Sequence, residues 1–268
     1  MSVKIGFIGP GKMTGAIIKG IFSANYTEKE NVFIYGRGKE RKEYFASMGC
    51  TVCENIKEMT DNCKIIFLAV KPQNFPEIYK LIKPYVSDGI LFVSIAAGIT
   101  FKNMQQNLGE NNKFIRVMPN TPMLLGEGAS AMCRTENVSD EEYNLIKEIL
   151  STCSLVEDIK EEDINAVIAV SGSSPAYIYL IAKCIADYGE KQGLKRETAL
   201  KLFARTLIGS AKMLTETGYT EDELTEMVSS KGGTTIAATT VLKNSEFFPL
   251  LNEAMDACVR RAEELSGK

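Results

Sequence analysis

Short apolar runs alternate with stretches of helical spacing through the first half of the chain. The apolar runs are VKIGFIG (3–9), NVFIYG (31–36), KIIFLAV (64–70) and GILFVSIAAG (89–98). They are apolar on both faces, which is typical of parallel strands covered by helices on both sides of a sheet. The stretches KMTGAIIKGIF and FPEIYKLIKPYV have the spacing of helices that pack on such a sheet. The pattern predicts a doubly wound α/β fold.

The same pattern continues to about residue 160 and then changes. It predicts a charged helix in KERKEYFASMG, a short strand in CTVC, a short helix at 56–59, strands at 113–119, 128–134 and 154–159, and a helix in SDEEYNLIKEILSTC. From residue 161 onwards the spacing predicts long helices alone. We expect a sheet domain over 1–160 and a helical domain over 161–268. Ala, Ile and Leu cover wide faces of these helices, which predicts that they form an oligomer interface.

Composition narrows the class of protein. The chain has 268 residues, 45% of them hydrophobic and 24% charged, as in a soluble globular protein of one or two domains. The net charge of −3 gives no basic footprint for nucleic acid. Apolar runs such as IIFLAV are too short to cross a bilayer, and no export leader precedes VKIGFIG. We expect a cytoplasmic protein that binds neither nucleic acid nor membrane.

Histidine is absent from the chain, and this limits the chemistry. Ser-His-Asp and Cys-His machinery and imidazole-ligated metals are excluded. Proton donors are left to Lys, Tyr, Ser, Thr, carboxylates and water. Cys50 and Cys53 form a CxxC spacing, but no second pair accompanies it. We expect reduced thiols around a short strand and no metal site.

The turn after the first predicted strand has the pattern of a dinucleotide site. GFIGPGKMTGAI places Gly9 and Gly11 between a strand and a helix, and Lys12 and Met13 open that helix. Bare backbone allows a pyrophosphate to approach, and the helix N-terminus offers free N–H groups. Thr14 occupies the third glycine position of the usual fingerprint. We expect these four residues, Gly9 to Met13 without Pro10, to bind a dinucleotide.

The end of the second strand indicates which dinucleotide binds. An NAD site favours an acidic residue there, but this chain has Tyr35-Gly36-Arg37-Gly38-Lys39. Cations suit a 2′-phosphate, so NADPH is favoured over NADH, with Arg37 as the main candidate. The alternative is a solvated charge cluster at the start of a surface helix.

Two further strand ends are candidates for the ligand crevice, because the carboxyl ends of parallel strands line it. Lys71 follows KIIFLAV and is either a catalytic cation or only a strand-end charge. Ala96 and Ala97 end the next strand, where small side chains allow a planar ring to lie against the backbone.

Three later segments carry a resemblance to a known family: RVMPNTP (116–122), AVSGSSPAY (169–177) and SSKGGTT (229–235). Taken with the GFIGxGxM start and the VKPQ strand end, the whole chain resembles pyrroline-5-carboxylate reductases. Two departures are visible. Lys231 replaces the Pro of the family's SPGGTT turn, and Ser174 replaces the second Gly of its SGSGPAY segment.

The resemblance implies a Rossmann-like NADP-binding domain followed by an all-α dimerisation domain, in an intertwined homodimer that some members build into larger rings. It implies NADPH-dependent reduction of pyrroline-5-carboxylate to L-proline, the last step of proline biosynthesis. Thr235 and Ser230 become the candidate catalytic residues, with Thr235 on the ring nitrogen. The substrate would be held by Ser230, Gly232, Gly233, Thr234 and Thr235, and the cofactor lined by Asn55, Ala69, Val70, Lys71, Pro72, Ala96 and Ala97.

The chemistry agrees with a chain that lacks His. A glycine-rich turn before a helix presents unpaired N–H groups to a carboxylate. A cyclic imine carries its own proton as an iminium, so hydride addition needs positioning more than a strong acid. Lys231 either assists carboxylate binding or points to solvent.

Two rival functions share part of this sequence pattern. One is a reductase of the 3-hydroxyacid or 6-phosphogluconate type, with Lys183 as its nominal catalytic lysine. The other is a catalytically silent NADP-binding regulator, which has no reason to keep a hydroxyl-rich turn.

Overall fold

A computed structural model describes residues 3–266 of the chain. Residues 1, 2, 267 and 268, at the outer ends of the two expected domains, lie outside the described residues. One eight-stranded sheet organises the first part. Its strands are β1 (Ile5–Ile8), β2 (Val32–Tyr35), β3 (Thr51–Val52), β4 (Ile65–Leu68), β5 (Leu91–Ser94), β6 (Lys113–Met118), β7 (Gly128–Arg134) and β8 (Ser154–Asp158).

The strand order creates a crevice between β1 and β4. The order is β3-β2-β1-β4-β5-β6-β7-β8, and β1 to β6 are parallel. The chain first builds outward from β1 to β3 and then crosses to the other side with β4. Ile8, Tyr35 and Leu68 end their strands in register. Ligands of such sheets bind outside the carboxyl ends at this reversal of strand order.

Strand β7 departs from the expected parallel arrangement. It pairs antiparallel with β6, and β8 then pairs parallel with β7. Only residues 119–127 connect β6 to β7, whereas a parallel crossover needs a dozen or more. The short connection therefore turns the chain back. The longer connection from β7 to β8 contains a helix and restores the parallel direction.

Helices cover both faces of the sheet, as a doubly wound fold requires. They are α1 (Lys12–Ser23), α2 (Lys39–Ser47), α3 (Ile56–Asn62), α4 (Phe75–Ile82), α5 (Phe101–Leu108) and α6 (Asp140–Ser151). One core contains the buried side chains of α1, α2 and α6, and the other contains those of α3, α4 and α5. The predicted fold class is confirmed. Helix α5 was not predicted.

The remaining elements are helical. They are α7 (Ile164–Val167), a π-helical turn (Ile168–Gly172), α8 (Ser174–Lys191), α9 (Arg196–Glu216), α10 (Glu221–Met227), α11 (Thr234–Lys243) and α12 (Phe247–Ser266). The long helix expected over 161–193 is thus interrupted by the π turn. Between α8 and α9 the helices approach closely, since a Cβ on Gly189 would lie 2.7 Å from that of Ala199.

Contacts group the chain into two compact units. The sheet unit reaches to Ser173 and resumes at Cys258, and the helical unit is Ser174–Ala257. Ser173 Oγ lies 3.2 Å from Cys258 Sγ, so the two points where the chain leaves and rejoins the sheet unit are in contact. The division of the chain into domains of 1–160 and 161–268 stays a prediction.

The helical unit buries few of its own apolar side chains. Its exposed large apolar residues include Tyr179, Leu180, Tyr188, Leu202 and Val241, each at least 60% exposed. One helical stretch, Glu161–Lys191, is long and apolar enough to cross a membrane by length and composition, with 17% of its apolar window buried. The expectation from the sequence concerned uninterrupted apolar runs, whereas this helix reaches the length of a span by including scattered polar residues.

Candidate functional site

A cavity of about 420 Å³ lies at the carboxyl ends of β1, β2 and β4. It occupies the crevice that the strand order creates. Its walls come from the turn after β1, the end of β2, the end of β4 and helix α4. The lining residues are Ile8, Gly9, Pro10, Gly11, Tyr35, Gly36, Arg37, Ala69, Val70, Lys71, Asn74, Glu77, Ile78 and Leu81.

The two glycines of the first turn serve different purposes. Gly9 has φ +112°, and a Cβ there would lie 2.7 Å from the carbonyl carbon and oxygen of Ala69. Both its conformation and its close contact with the end of β4 therefore require glycine. A Cβ on Gly11 would meet nothing within 4 Å. Gly11 instead keeps open the space in which a ligand approaches the backbone.

Thr14 explains the departure from the third glycine of the fingerprint. Its side chain is fully buried, and its Oγ1 donates a hydrogen bond of 2.6 Å to the Gly9 carbonyl oxygen. This hydrogen bond stabilises the conformation of the turn. Helix α1 itself has Gly11 as N-cap, no side-chain cap and no acidic residue in its first turn. Its N-terminal N–H groups and its dipole are available to an anion.

The end of β2 brings a cation to the cavity. A Cβ on Gly36 would overlap the ring of Pro10, so glycine allows these two turns to pack together. Arg37 follows and forms an ion pair with Glu77 of α4 across the cavity. Glu77 was not anticipated as a site residue. Among the described residues that line the cavity, it carries the one carboxylate.

Six of the twelve predicted cofactor residues line this cavity: Gly9, Gly11, Arg37, Ala69, Val70 and Lys71. The other six do not. Lys12 lines a neighbouring cavity of about 120 Å³ that also contains Lys19 and Arg41, and Met13 packs against the core. Asn55 caps α3 by accepting a 3.0 Å bond from the Glu58 N–H. The last three are Pro72, which begins a 3-10 turn, and Ala96 and Ala97, which follow β5.

Sequence reasoning missed the wall formed by α4. Asn74, Glu77, Ile78 and Leu81 line the cavity from this helix and the turn before it. The spacing of FPEIYKLI predicts the helix, and Glu77 stands in its first turn. The pattern could not indicate that this helix passes the end of β2, because that depends on the strand order.

The second glycine turn precedes α11 in the helical unit. Gly232 has φ +74°, and Gly233 is the N-cap of α11 in an extended conformation. A Cβ on Gly233 would lie 2.5 Å from Ser230 Oγ, so glycine permits the tight turn in which the Gly233 N–H donates to the Ser230 carbonyl. Like α1, helix α11 has neither a side-chain cap nor an acidic residue in its first turn. This end of α11 is suited to an anion.

Hydroxyl groups surround that turn. Ser230, Thr234 and Thr235 stand at or beside the helix start, and Thr235 is partly buried. The Oγ of Ser229 is buried without a hydrogen-bond partner in the part of the chain that the structure describes. Lys231 is exposed. Its contribution to substrate binding and its alternative role as a solvated charge both stay open.

Two of the family segments are in contact in the sheet unit, through residues that are 51 positions apart in the sequence. Asn120 of RVMPNTP donates a 3.2 Å bond through Nδ2 to the Ser171 carbonyl of AVSGSSPAY. Its Oδ1 accepts a 2.9 Å bond from the Ala129 N–H at the start of β7. Ser171 belongs to the π turn, a local irregularity that is frequent at functional sites. Asn120 thus fixes the π turn to the edge of β7.

The CxxC cysteines are buried structural thiols. Cys50 and Cys53 are free, and burial raises the pKa of Cys50 to about 11 and that of Cys53 to about 12. Both stay protonated near neutral pH, and a neutral thiol is a poor nucleophile and metal ligand. Within residues 3–266, His, Cys, Asp and Glu form no group able to hold a metal ion.

The fold and the two turns define a class of protein: a dinucleotide-dependent oxidoreductase with a helical second part. Residues 4–98 match the family model described as NADP oxidoreductase coenzyme F420-dependent, and residues 161–265 match the one described as Pyrroline-5-carboxylate reductase dimerisation. The second match indicates that the chain forms homo-oligomers.

Relatives that match over nearly their whole length identify the family. The chain is 36% identical over 267 residues to pyrroline-5-carboxylate reductase of Escherichia coli K12, with 99% of both covered, and 35% identical over 265 residues to that of Pisum sativum, with 99% and 97% covered. It superimposes on the solved structure of Plasmodium falciparum pyrroline carboxylate reductase with NADP bound at a TM-score of 0.89 and 32% identity, covering 98% of each. The chain belongs to the pyrroline-5-carboxylate reductase family.

The predicted family and the predicted class of enzyme are therefore confirmed. Neither rival function is supported: family membership argues against a reductase of 3-hydroxy acids and against a silent NADP-binding regulator. The residue assignments at the two turns stay predictions.

Proposed function

We propose that this chain reduces pyrroline-5-carboxylate to L-proline with NADPH, as the last step of proline biosynthesis. One observation carries the proposal: a chain that matches a pyrroline-5-carboxylate reductase over 99% of both sequences has both a dinucleotide cavity and an uncapped, hydroxyl-rich helix start. When bound, NADPH supplies the hydride. The chain's own residues orient the two reactants and exclude water from them.

The residues around the first cavity fit NADPH. Gly9 and Gly11 bring bare backbone to the pyrophosphate, and Lys12 and Met13 offer the first N–H groups of α1. Arg37 pairs with the 2′-phosphate, since guanidinium and phosphate form strong charge-assisted bonds. Ala69, Val70, Lys71 and Pro72 would hold the nicotinamide end, with Ala96, Ala97 and Asn55 as further cofactor residues.

The turn before α11 holds the substrate carboxylate. Backbone N–H groups of Gly232 and Thr234 and the hydroxyl of Ser230 donate to it, and Gly233, whose own N–H donates to the Ser230 carbonyl, shapes the turn around the substrate. Neutral donors at a helix start stabilise a carboxylate without a counter-charge. This arrangement leaves Lys231 free to remain in solvent.

Thr235 acts at the ring nitrogen. The substrate is protonated as an iminium, so its C=N carbon already accepts a hydride. The two electrons of the hydride form a C–H bond, and the C=N π electrons return to nitrogen, which keeps its proton as the amine of proline. The Thr235 hydroxyl accepts from that N–H and fixes the ring. Positioning of this kind supplies most of the rate in the absence of His.

The helical unit forms the homodimer. Helix α8 exposes the apolar side chains of Tyr179, Leu180 and Tyr188, which are typical of an interface. The family model for pyrroline-5-carboxylate reductase dimerisation includes this helix. We favour a second copy of the chain over a lipid bilayer as the partner that buries this surface. The two copies form an intertwined dimer that can assemble into a larger ring. The assembly works in the cytoplasm on a small molecule, without nucleic acid or membrane.

Turnover tests the proposal directly. The purified protein is mixed with pyrroline-5-carboxylate and either NADPH or NADH, and both cofactor oxidation and proline are measured. We expect one proline for each NADPH oxidised and a higher kcat/KM with NADPH. Turnover of a 3-oxo or 3-hydroxy acid together with inactivity toward the imine would contradict the proposal.

A further inference from the structure

We propose that Glu77 sets the margin by which this enzyme prefers NADPH over NADH, by occupying Arg37 when no 2′-phosphate is present. The inference deepens the proposed function and rests on its assignment of Arg37 to the phosphate. Glu77 therefore acts as a specificity-determining residue on the cavity wall opposite Arg37.

The geometry places the two charges on different elements that meet across the cavity. Arg37 follows β2, and Glu77 lies in the first turn of α4, where Pro76 precedes it. Their side chains form an ion pair, and both residues line the cavity. Lys71, the other lining cation, follows β4. Arg37 is thus the cation that Glu77 engages.

A carboxylate and a phosphate compete for the same guanidinium. Both accept paired N–H donors from Arg, and a dianionic phosphate beside a free carboxylate is repelled by it. Binding of NADPH must exchange the Glu77 pair for the phosphate pair. NADH carries a ribose hydroxyl at this position, so the Arg37–Glu77 pair can persist. Glu77 consequently weakens NADPH binding more than NADH binding.

The expected size of the effect follows from exposure. The Arg37 side chain is 78% exposed and that of Glu77 is 49% exposed, so solvent screens the pair. Exposed pairs of this kind change an equilibrium by a small factor, on the order of threefold. Glu77 adjusts the discrimination and does not create it.

Calorimetric titration of the full-length protein with NADPH and with NADH tests this inference. Glu77→Gln should lower the Kd for NADPH by roughly threefold and leave the Kd for NADH nearly unchanged. The control is Glu43→Gln, which removes a somewhat more exposed carboxylate, paired with Lys39 on α2, that does not line the cavity. Equal shifts for both cofactors, a weaker Kd for NADPH, or the same gain in Glu43→Gln would overturn the inference.

A double variant separates competition for Arg37 from direct repulsion of the phosphate. In an Arg37→Gln background, Glu77→Gln should change the Kd for NADPH by less than half of the fold-change that it causes in the wild-type protein. A gain that persists in full would overturn the competing ion pair. These titrations measure cofactor binding without the imine substrate. A negative result would therefore contradict the role of Glu77 and would not contradict the proposed reaction. NADPH binding of the expected pattern without imine reduction would contradict the reaction alone.

Discussion

The two glycine turns of this chain begin their helices in the same way, yet their surroundings differ. Both α1 and α11 have an extended glycine N-cap, no side-chain cap and no acid in the first turn. By contrast, α6 and α10 begin with full capping boxes and three acidic residues. The starts of α1 and α11 are therefore each suited to an anion, which in the proposed function is the pyrophosphate at α1 and the carboxylate at α11.

What differs is how each turn is held. Helix α1 buries seven residues in the core of the sheet unit, and Thr14 fixes its turn from inside. Helix α11 buries none of its residues within its unit. The first turn is thus shaped by packing that the sheet unit completes by itself. The second has no buried residues in its helix among the described residues, and in the proposed homodimer a second copy of the chain would supply packing for it.

The largest effect is expected at Gly9. Gly9→Ala places a Cβ in contact with the Ala69 backbone at a φ that disfavours any side chain. We expect loss of measurable NADPH binding and destabilisation by about 2 kcal/mol or more. Gly232→Ala, where space is open, should cost about 1 kcal/mol. Thermal unfolding and dinucleotide titration measure both, and equal costs would refute the contrast between the turns.

Thr235→Ala should have the next largest effect. Loss of the hydroxyl at the ring nitrogen is expected to lower kcat by about 10- to 100-fold while NADPH binding stays close to wild type. Thr240→Ala is the matched control, because the Thr240 hydroxyl bonds to the Ile236 carbonyl of the same helix. Steady-state kinetics and calorimetry check both variants. Wild-type kcat in Thr235→Ala would remove Thr235 from the mechanism.

A smaller change is expected for Arg37→Asp. The variant should lower the ratio of kcat/KM for NADPH over NADH by roughly tenfold, because it exchanges the phosphate's counter-charge for a like charge. Lys39→Gln, a nearby exposed cation outside the cavity, serves as the control. If the ratio is the same in Arg37→Asp and wild type, the 2′-phosphate is bound elsewhere.

Thiol labelling gives the smallest effect and compares the two units directly. Cys53 and Cys63 have pKa values raised to about 12 by burial, so both should resist alkylation in the folded protein at neutral pH. Cys184 on α8 is exposed within the helical unit and should react first. Its rate should fall as protein concentration rises if a second copy covers α8. Mass spectrometry after timed labelling resolves each site.

Local pattern was sufficient for much of the fold. The buried strands β1, β2, β4 and β5 and helices α1 and α6 follow from runs and spacing, and the fold class with them. Helix α5 was missed because FKNMQQNL is short and polar, and its start depends on the Thr100 cap. The antiparallel β7 depends on the length of the connection after β6. The direction of β7 is not visible in hydrophobic periodicity, whereas α5 does have its buried Phe101, Met104 and Leu108 at helical spacing within a short, mostly polar segment.

The site was partly predictable for a related reason. Gly9, Gly11 and Arg37 belong to a strand-turn-helix motif and a strand end, both of which are recognisable from local sequence. Glu77 reaches the cavity because β4 lies beside β1, a long-range arrangement that no local pattern contains. The π turn and its Asn120 contact likewise join distant segments. Prediction was limited wherever a residue acts through tertiary contacts.

The contact between Ser173 and Cys258 has a topological consequence. The 84 residues of Ser174–Ala257 leave and rejoin the sheet unit at adjacent points, as an inserted domain does. Cleavage of the backbone within Ser174–Ala257 would give two fragments that each contain core residues of the sheet unit, since Ala262 belongs to that core. Joining Ser173 to Cys258 through a short linker should excise the dimerising part and leave a monomeric dinucleotide-binding domain.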